Sequence, residues 1–302
     1  MPFWSLLALG AACCTSAADL LLRSLLLQGL SVRLAIGAGC FATTLLALPL
    51  LLLHAPPIQP TALLQALLAT ALVNGVAYWC YGRALARGEF SLVLPLINLS
   101  PLVLLLSGWL VLGERPGPMA VFGVGLLVAG ALLLGRSDGL QRNLLRVPGG
   151  REMLLTAVLW GLGASIDKLG VRAGGSLLWV AGLHLVVGLP LLLAALAAGD
   201  QHRSAPQPVA GLRRALFAGA AGRLRLLQVF ALGLCVLVGT GLQMEALRLT
   251  AVVHVVAIKR LSTLFGALIG VGLLQERSSG LRLPAAALMS CGALLVLLAS
   301  RR

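Results

Sequence analysis

The chain has 302 residues, of which 59% are hydrophobic and 11% charged, with a mean hydropathy of +1.01. That composition excludes a water-soluble domain built around one core. The net charge of +14 would suggest a nucleic-acid partner in a soluble protein. Here the arginines fall in the polar breaks between apolar runs, where they anchor to headgroups, so the expected partner is the lipid bilayer and not nucleic acid.

A helix needs roughly 20 apolar residues to cross a hydrocarbon core of about 30 Å. The sequence offers about ten such runs, which defines an all-α, multi-pass integral membrane protein. Stretches such as LVLPLINLSPLVLLLSGWLVL are apolar all round, whereas barrel strands would alternate.

In chain order, the first helix is expected over 3–22. It lacks the basic start of a signal peptide and is read as a span. It carries Asp19, with Arg23 four residues on as a local pairing candidate. A second helix over 33–53 precedes a third over 62–82, where Asn74, Tyr78 and Tyr81 form an i, i+4, i+7 stripe. The stripe suits either a cavity lining or an interfacial aromatic belt. The fourth helix, 90–112, is interrupted by Pro95, Asn98 and Pro101, and it ends in an LGER turn that reads as a helix cap. A fifth follows at 118–135.

After a polar linker at 137–151, helices are expected at 153–172, 175–198, 226–247, 250–273 and 283–300. Asp167 shares a face with Trp160 and Gly163. The stretch GLRRALFAGAAGRLR (211–225) is either an amphipathic surface helix or a solvated basic loop. Thr240 and Gln243 add polar groups to the eighth helix, and Glu245 has Arg248 at i+3, a pair that needs no function. Gly266 and Gly270 form a GxxxG packing motif. The six cysteines show no metal or CxxC spacing and are read as small apolar packing residues.

Lys259 and Arg260 stand mid-run in the ninth helix. Each charge costs about 2.5–3.5 kcal/mol at a bilayer centre, so the pair requires compensation and is expected to face the protein interior. Thr263 lies on the lysine's face. Asp167 and Asp19 are the expected counter-charges. Only Lys168 and Lys259 are lysines, both inside predicted helices, while every loop cation is arginine. An ammonium can lose its proton and a guanidinium cannot, which makes Lys259 a proton-site candidate.

The chain repeats internally. A shift of 162 residues lays ALARGEFSLVLPLINLSPLVLLLSGWLVLGER (84–115) over ALRLTAVVHVVAIKRLSTLFGALIGVGLLQER (246–277), and a shift of 148 superposes Asp19 on Asp167. Two five-helix repeats, 1–136 and 152–302 around the 137–151 linker, would have opposite topology because five is odd. The paired blocks ALARGEFSLVLPL…LGERPGP and ALRLTAVVHVVAI…LQERSSG resemble those of EamA-type members of the drug/metabolite transporter superfamily. The resemblance implies ten helices, transport of a small metabolite, and a central cavity lined largely by 62–112 and 226–273. This chain departs from the pattern with Ala257 opposite Pro95, and with Lys259 and Arg260 opposite Ile97 and Asn98.

The expected function is therefore secondary transport of a small anionic or zwitterionic metabolite by alternating access, coupled to a proton or an exchanged solute. Lys259, Arg260, Asn98, Asn74, Tyr78, Tyr81, Gln243 and Thr263 are the expected contacts, with no cofactor or metal, in a monomer or homodimer. A membrane-embedded lipid enzyme is disfavoured because His54, His184, His202 and His254 form no HxxxH or HExxH motif. A purely structural Lys-Arg pair bridged to Asp167 stays open. The location is a cell (plasma or inner) membrane. Fifteen loop arginines fall opposite the termini and five beside them, which places the termini outside the cytoplasm, whereas the resemblance implies cytosolic termini.

Overall fold

A computed structural model describes residues 2–53, 57–134, 147–198, 219–262, 264–265 and 281–299, and every regular element among them is a helix. They are α1 (Phe3–Leu27), α2 (Val32–Leu53), α3 (Pro60–Arg87), α4 (Phe90–Val93), a 3-10 stretch Leu94–Leu99, α5 (Ser100–Leu112), α6 (Pro118–Leu134), α7 (Gly150–Ala198), α8 (Gly219–Leu249), α9 (Val252–Lys259) and α10 (Arg282–Ala299). Helices α1, α2, α3, α7 and α8 are long and apolar enough to cross a membrane, and shorter apolar helices accompany them. Their outward faces carry bare leucines, such as Leu52 and Leu72, at 80% and 75% exposure. In water that surface would be a liability, and in lipid it is the solvent-matched side.

At 49 residues, α7 would be about 74 Å long if straight, more than two bilayer cores. It is instead a hairpin. Gly175 has φ 76° and ψ 165°, a backbone only glycine adopts freely, and the two arms fold back there. The Trp179 indole N–H donates to Asp167 Oδ1 at 3.2 Å, though the two residues are twelve apart in sequence. A straight helix would separate them by about 18 Å. Gly170 makes the return possible, because a Cβ there would lie 2.1 Å from the Trp179 ring.

The repeats interlock and are not separate lobes. Helix α1 packs on α8, α2 on both α7 and α8, and α3 on α7, while α6 and α10 pair with each other. Side chains join them where small residues bring backbones close. Thr43 donates to the Gly233 carbonyl at 3.2 Å and Thr44 to the Ala181 carbonyl at 3.2 Å.

Two ends of the bundle can be distinguished by contacts. The N-terminal end, where α1 begins, brings together Trp4 stacked on His254 at 5.9 Å and Gln59 N–H bonded to the Ala173 carbonyl at 2.8 Å. At the far end, Arg23 donates to the Leu85 carbonyl, Gln28 to Gln228 at 2.8 Å, and Arg87 to Glu152 at 2.8 Å. The expected local pair of Asp19 with Arg23 does not form, because each reaches across to α3 instead. Glu245 does pair with Arg248, at 3.2 Å and exposed, as the bland reading held.

Both repeats break the same helix. In the first, Pro95 and Pro101 lack the N–H groups that would reach the carbonyls of residues 91 and 97, and the chain runs as α4, a 3-10 stretch and α5. In the second, the continuous helix expected over 250–273 is not formed. Helix α9 stops at Lys259, Arg260 occupies the cap position, and Leu261 N–H closes a tight turn on the Ile258 carbonyl at 3.0 Å. No proline explains this break, since Ala257 stands opposite Pro95. Lys259 and Arg260 therefore sit at a helix C-terminus and not mid-helix. There the negative end of the backbone dipole favours cations, typically by about 0.3–1 kcal/mol and up to about 2 when partly buried. Residues 266–280, which include Gly266, Gly270 and the LQER turn, lie outside the described residues, as does most of the 211–225 stretch.

Candidate functional site

Polar groups that would be costly in lipid converge on one cavity of about 140 Å³ inside the bundle. Helix α1 contributes Asp19, α3 contributes Asn74, Tyr78 and Tyr81, and α7 contributes Trp160 and Asp167. Helix α8 adds Thr240 and Gln243, and the end of α9 adds Lys259 and Arg260. The two aspartates that superpose under the repeat thus meet in the same space, together with the two cations that occur in one repeat only. Two carboxylates and two cations leave the wall balanced in formal charge.

Each charged group is held. Asp19 Oδ1 accepts the Tyr81 hydroxyl at 2.5 Å, and Asp167 Oδ1 accepts the Trp179 indole. Lys259 Nζ donates to Gln243 Oε1, which anchors the ammonium to α8. Arg260 Nε donates to Ser100 Oγ at 3.0 Å, and its guanidinium lies 5.9 Å from the centroid of the Trp160 ring. Ser100 opens α5, so this bond joins the two broken helices across the repeat interface. Ser16 adds a second tie, donating to the Ser262 carbonyl at 2.9 Å.

An aromatic wall supports these groups. Trp160 meets Tyr78 edge-on at 5.5 Å and Tyr81 at 4.9 Å. The Tyr78 hydroxyl lies 3.3 Å from His184 Nε2, while His184 Nδ1 lies 2.7 Å from the Val180 carbonyl. A carbonyl can only accept, so Nδ1 carries the proton and Nε2 accepts from the tyrosine. The stripe on α3 is thus a buried wall and not an interfacial belt, with Tyr81 5% and Asn74 3% exposed. Asn74 itself donates to Thr70 Oγ1 at 2.6 Å.

Of the expected contacts, Lys259, Arg260, Asn74, Tyr78, Tyr81 and Gln243 line the cavity, as do both counter-charges. Asn98 is buried but is not among the lining residues, because the 3-10 stretch turns Leu94 and Ile97 toward the space instead. Thr263 lies outside the described residues. The bridge considered between Lys259 and Asp167 is absent among the described residues, each group being taken up by a neutral partner. Among the described residues, no cluster of His, Cys, Asp and Glu could hold a metal ion. Sequence reasoning missed Trp160 and Ser100 as partners of Arg260. Trp160 was signalled by sharing a helical face with Asp167, whereas nothing local marked Ser100.

Glu114 of the LGER turn was also read too narrowly. Gly113, at φ 69°, ends α5 by returning its N–H to the Trp109 carbonyl, with Glu114 N–H bonded to Gly108, so the turn does cap its own helix. The Glu114 side chain then crosses to the other repeat. Its Oε1 lies 2.6 Å from Lys168 Nζ and its Oε2 accepts the Val252 N–H at the start of α9 at 2.8 Å. Lys168 also donates to the Thr250 carbonyl at 2.8 Å.

Interlocked apolar helices enclosing a charged cavity define a multi-pass membrane protein with an internal polar site. The chain belongs to the EamA-like transporter family, whose profile matches it twice, over residues 2–136 and 152–298. A solved crystal structure of similar fold aligns with a TM-score of 0.72 at 20% identity, covering 99% of this chain and 98% of that one. No curated protein sequence matches the chain significantly. Membership makes the protein a membrane transporter by family. The cavity also draws on α1, α2 and α7, beyond the segments that the resemblance implied.

Proposed function

We propose that the protein is a secondary transporter whose two inverted five-helix repeats, 1–136 and 152–302 about the 137–151 linker, supply ten spans and alternate access to the central cavity. The substrate is a compact polar metabolite, zwitterionic or anionic, bound by Lys259 and Arg260 on one side and faced by Asp19 and Asp167 on the other. The observation that supports this most directly is the meeting of those four charges in one interior cavity. The balance of charge favours a zwitterion, since a lone anion would face two carboxylates. A guanidinium can fork onto a carboxylate, and the Trp160, Tyr78 and Tyr81 rings offer an apolar surface beside it. A cavity of about 140 Å³ is small beside ligand pockets of roughly 300–1,000 Å³, which points to a compact solute.

The test is a thermal-stabilisation screen of purified protein against amino acids, small carboxylates and phosphates, followed by uptake into proteoliposomes. Zwitterions or anions are expected to raise the melting temperature, and both Lys259→Ala and Arg260→Ala to abolish the effect and the uptake. Charge-assisted bonds contribute about 1.5–3 kcal/mol each, so each variant is expected to weaken binding by at least about 10-fold. Undiminished binding and uptake in both variants would refute the assignment.

A further inference from the structure

A second pocket, of about 740 Å³, lies at the N-terminal end of the bundle. Lys168 and Arg172 of α7, Arg248 of α8 and Thr250 line it, and no carboxylate is among the described residues that do so. The two spaces are stacked on the same helices. On α7, Asp167 faces the central cavity while Lys168 and Val171 face the outer pocket; on α8, Gln243 and Met244 face inward while Leu247 and Arg248 face the pocket. The step between them is about one helical turn, roughly 5 Å.

The partition between the two is built from polar groups. Lys168 lines the outer pocket, yet its ammonium is held by Glu114 and the Thr250 carbonyl, and Glu114 in turn holds Val252 at the head of the helix that carries Lys259 and Arg260. Glu114 belongs to the first repeat and the other three groups to the second. Side-chain exposures of 11% for Lys168 and 15% for Glu114 show that the pair is largely shielded. An apolar seal would serve packing equally well, whereas an ion pair can exchange partners.

Resting on the transporter reading above, we propose that the outer pocket is an anion-binding vestibule in series with the central cavity, closed from it by the Glu114–Lys168 pair. The ligand is an anionic oxygen group, a carboxylate or phosphate, which engages Arg172 and Arg248 and competes with Glu114 for Lys168. Arg248 also contacts the exposed Glu245 at 3.2 Å, so it is shared and not idle. Release of Glu114 frees the start of α9 and connects the two spaces.

The experiment uses thiol labelling in proteoliposomes, with reagent added to the face bearing the N-terminal end, as identified by an N-terminal tag, and each cysteine read by peptide mass spectrometry. Leu249→Cys places a thiol in the vestibule, and native Cys235 reports on the central cavity. A sulfonate-bearing methanethiosulfonate is expected to modify Leu249→Cys at least about 10-fold faster than its trimethylammonium analogue, as a cationic pocket focuses anions. Arg172→Gln with Arg248→Gln is expected to erase that preference. Inorganic phosphate in solution slows the reaction if the ligand is a free anion, and phosphatidylglycerol added to phosphatidylcholine vesicles slows it if the ligand is a headgroup, in either case beyond any slowing of the double variant. Glu114→Gln is expected to raise Cys235 labelling from that face several-fold. Equal rates for the two reagents, or slowing by neither phosphate nor phosphatidylglycerol, would overturn the binding site. A Cys235 rate unchanged in a folded Glu114→Gln protein would overturn the gate. If that variant does not fold, the charge preference at Leu249→Cys decides alone. None of these readouts needs a transported solute, so their failure leaves the transporter reading standing, and an unresponsive solute screen leaves them valid.

Discussion

Gly170→Ala separates two effects of opposite sign in the α7 hairpin. By helix propensity alone, alanine in place of glycine stabilises a helix interior by about 1 kcal/mol. The packing predicts the reverse. A Cβ at position 170 would stand 2.1 Å from Trp179 Cε3, with two further ring atoms at 2.3 Å. Ordinary carbon contacts need about 3.5–4.0 Å, so the indole must move by more than about 1.4 Å. Trp179 is fully buried, and its N–H bond to Asp167 is already 3.2 Å long, so a shift of that size breaks it. Overpacking costs about 1–3 kcal/mol and an abandoned buried partner about 1–3 more, which outweighs the propensity gain and leaves a net loss of about 1–5 kcal/mol. At about 2 °C per kcal/mol, thermal unfolding in detergent should fall by about 2–10 °C. Trp179→Phe removes the outer indole ring and should relieve the clash, so the double variant should recover at least about 1 kcal/mol relative to additivity. A Gly170→Ala protein as stable as the wild type, or strict additivity in the cycle, would refute the hairpin packing.

Tyr81→Phe removes the hydroxyl that Asp19 accepts at 2.5 Å inside the cavity, and is expected to lower stability by about 1–3 kcal/mol, read as a fall in melting temperature. An unchanged melting temperature would mean that water or another donor replaces it. Arg87→Ala is expected to do little despite the 2.8 Å bridge to Glu152, because Arg87 is 55% exposed and surface pairs contribute about 0–1 kcal/mol. A fall of more than about 3 °C, at about 2 °C per kcal/mol, would show that this pair carries more than a surface contact does.

The first repeat's break was legible from Pro95 and Pro101, because a missing N–H is a covalent fact that no packing restores. The convergence of Asp19 and Asp167 was foreshadowed by their superposition under the repeat, and the Asn74, Tyr78 and Tyr81 face by helical spacing. The end of α9 at Lys259 was not legible. Its residues are good helix or membrane formers, and no glycine or proline marks the stop. Asn98 was placed wrongly for a related reason, since a 3-10 stretch rotates side chains away from the α-helical wheel on which it was counted.

Apolar content, run length and the internal repeat by themselves determined that the chain forms helices in a bilayer, because an unsatisfied backbone is intolerable in hydrocarbon and leaves few alternatives. They also determined that buried charges had to face inward. Which groups meet inside was decided by tertiary structure alone. Asp167 takes Trp179 and Lys259 takes Gln243, Arg260 reaches Ser100, and Glu114 reaches Lys168. Partner choice depends on crossings between helices far apart in the sequence, and a helical wheel gives the face a residue occupies without naming the helix that lies opposite.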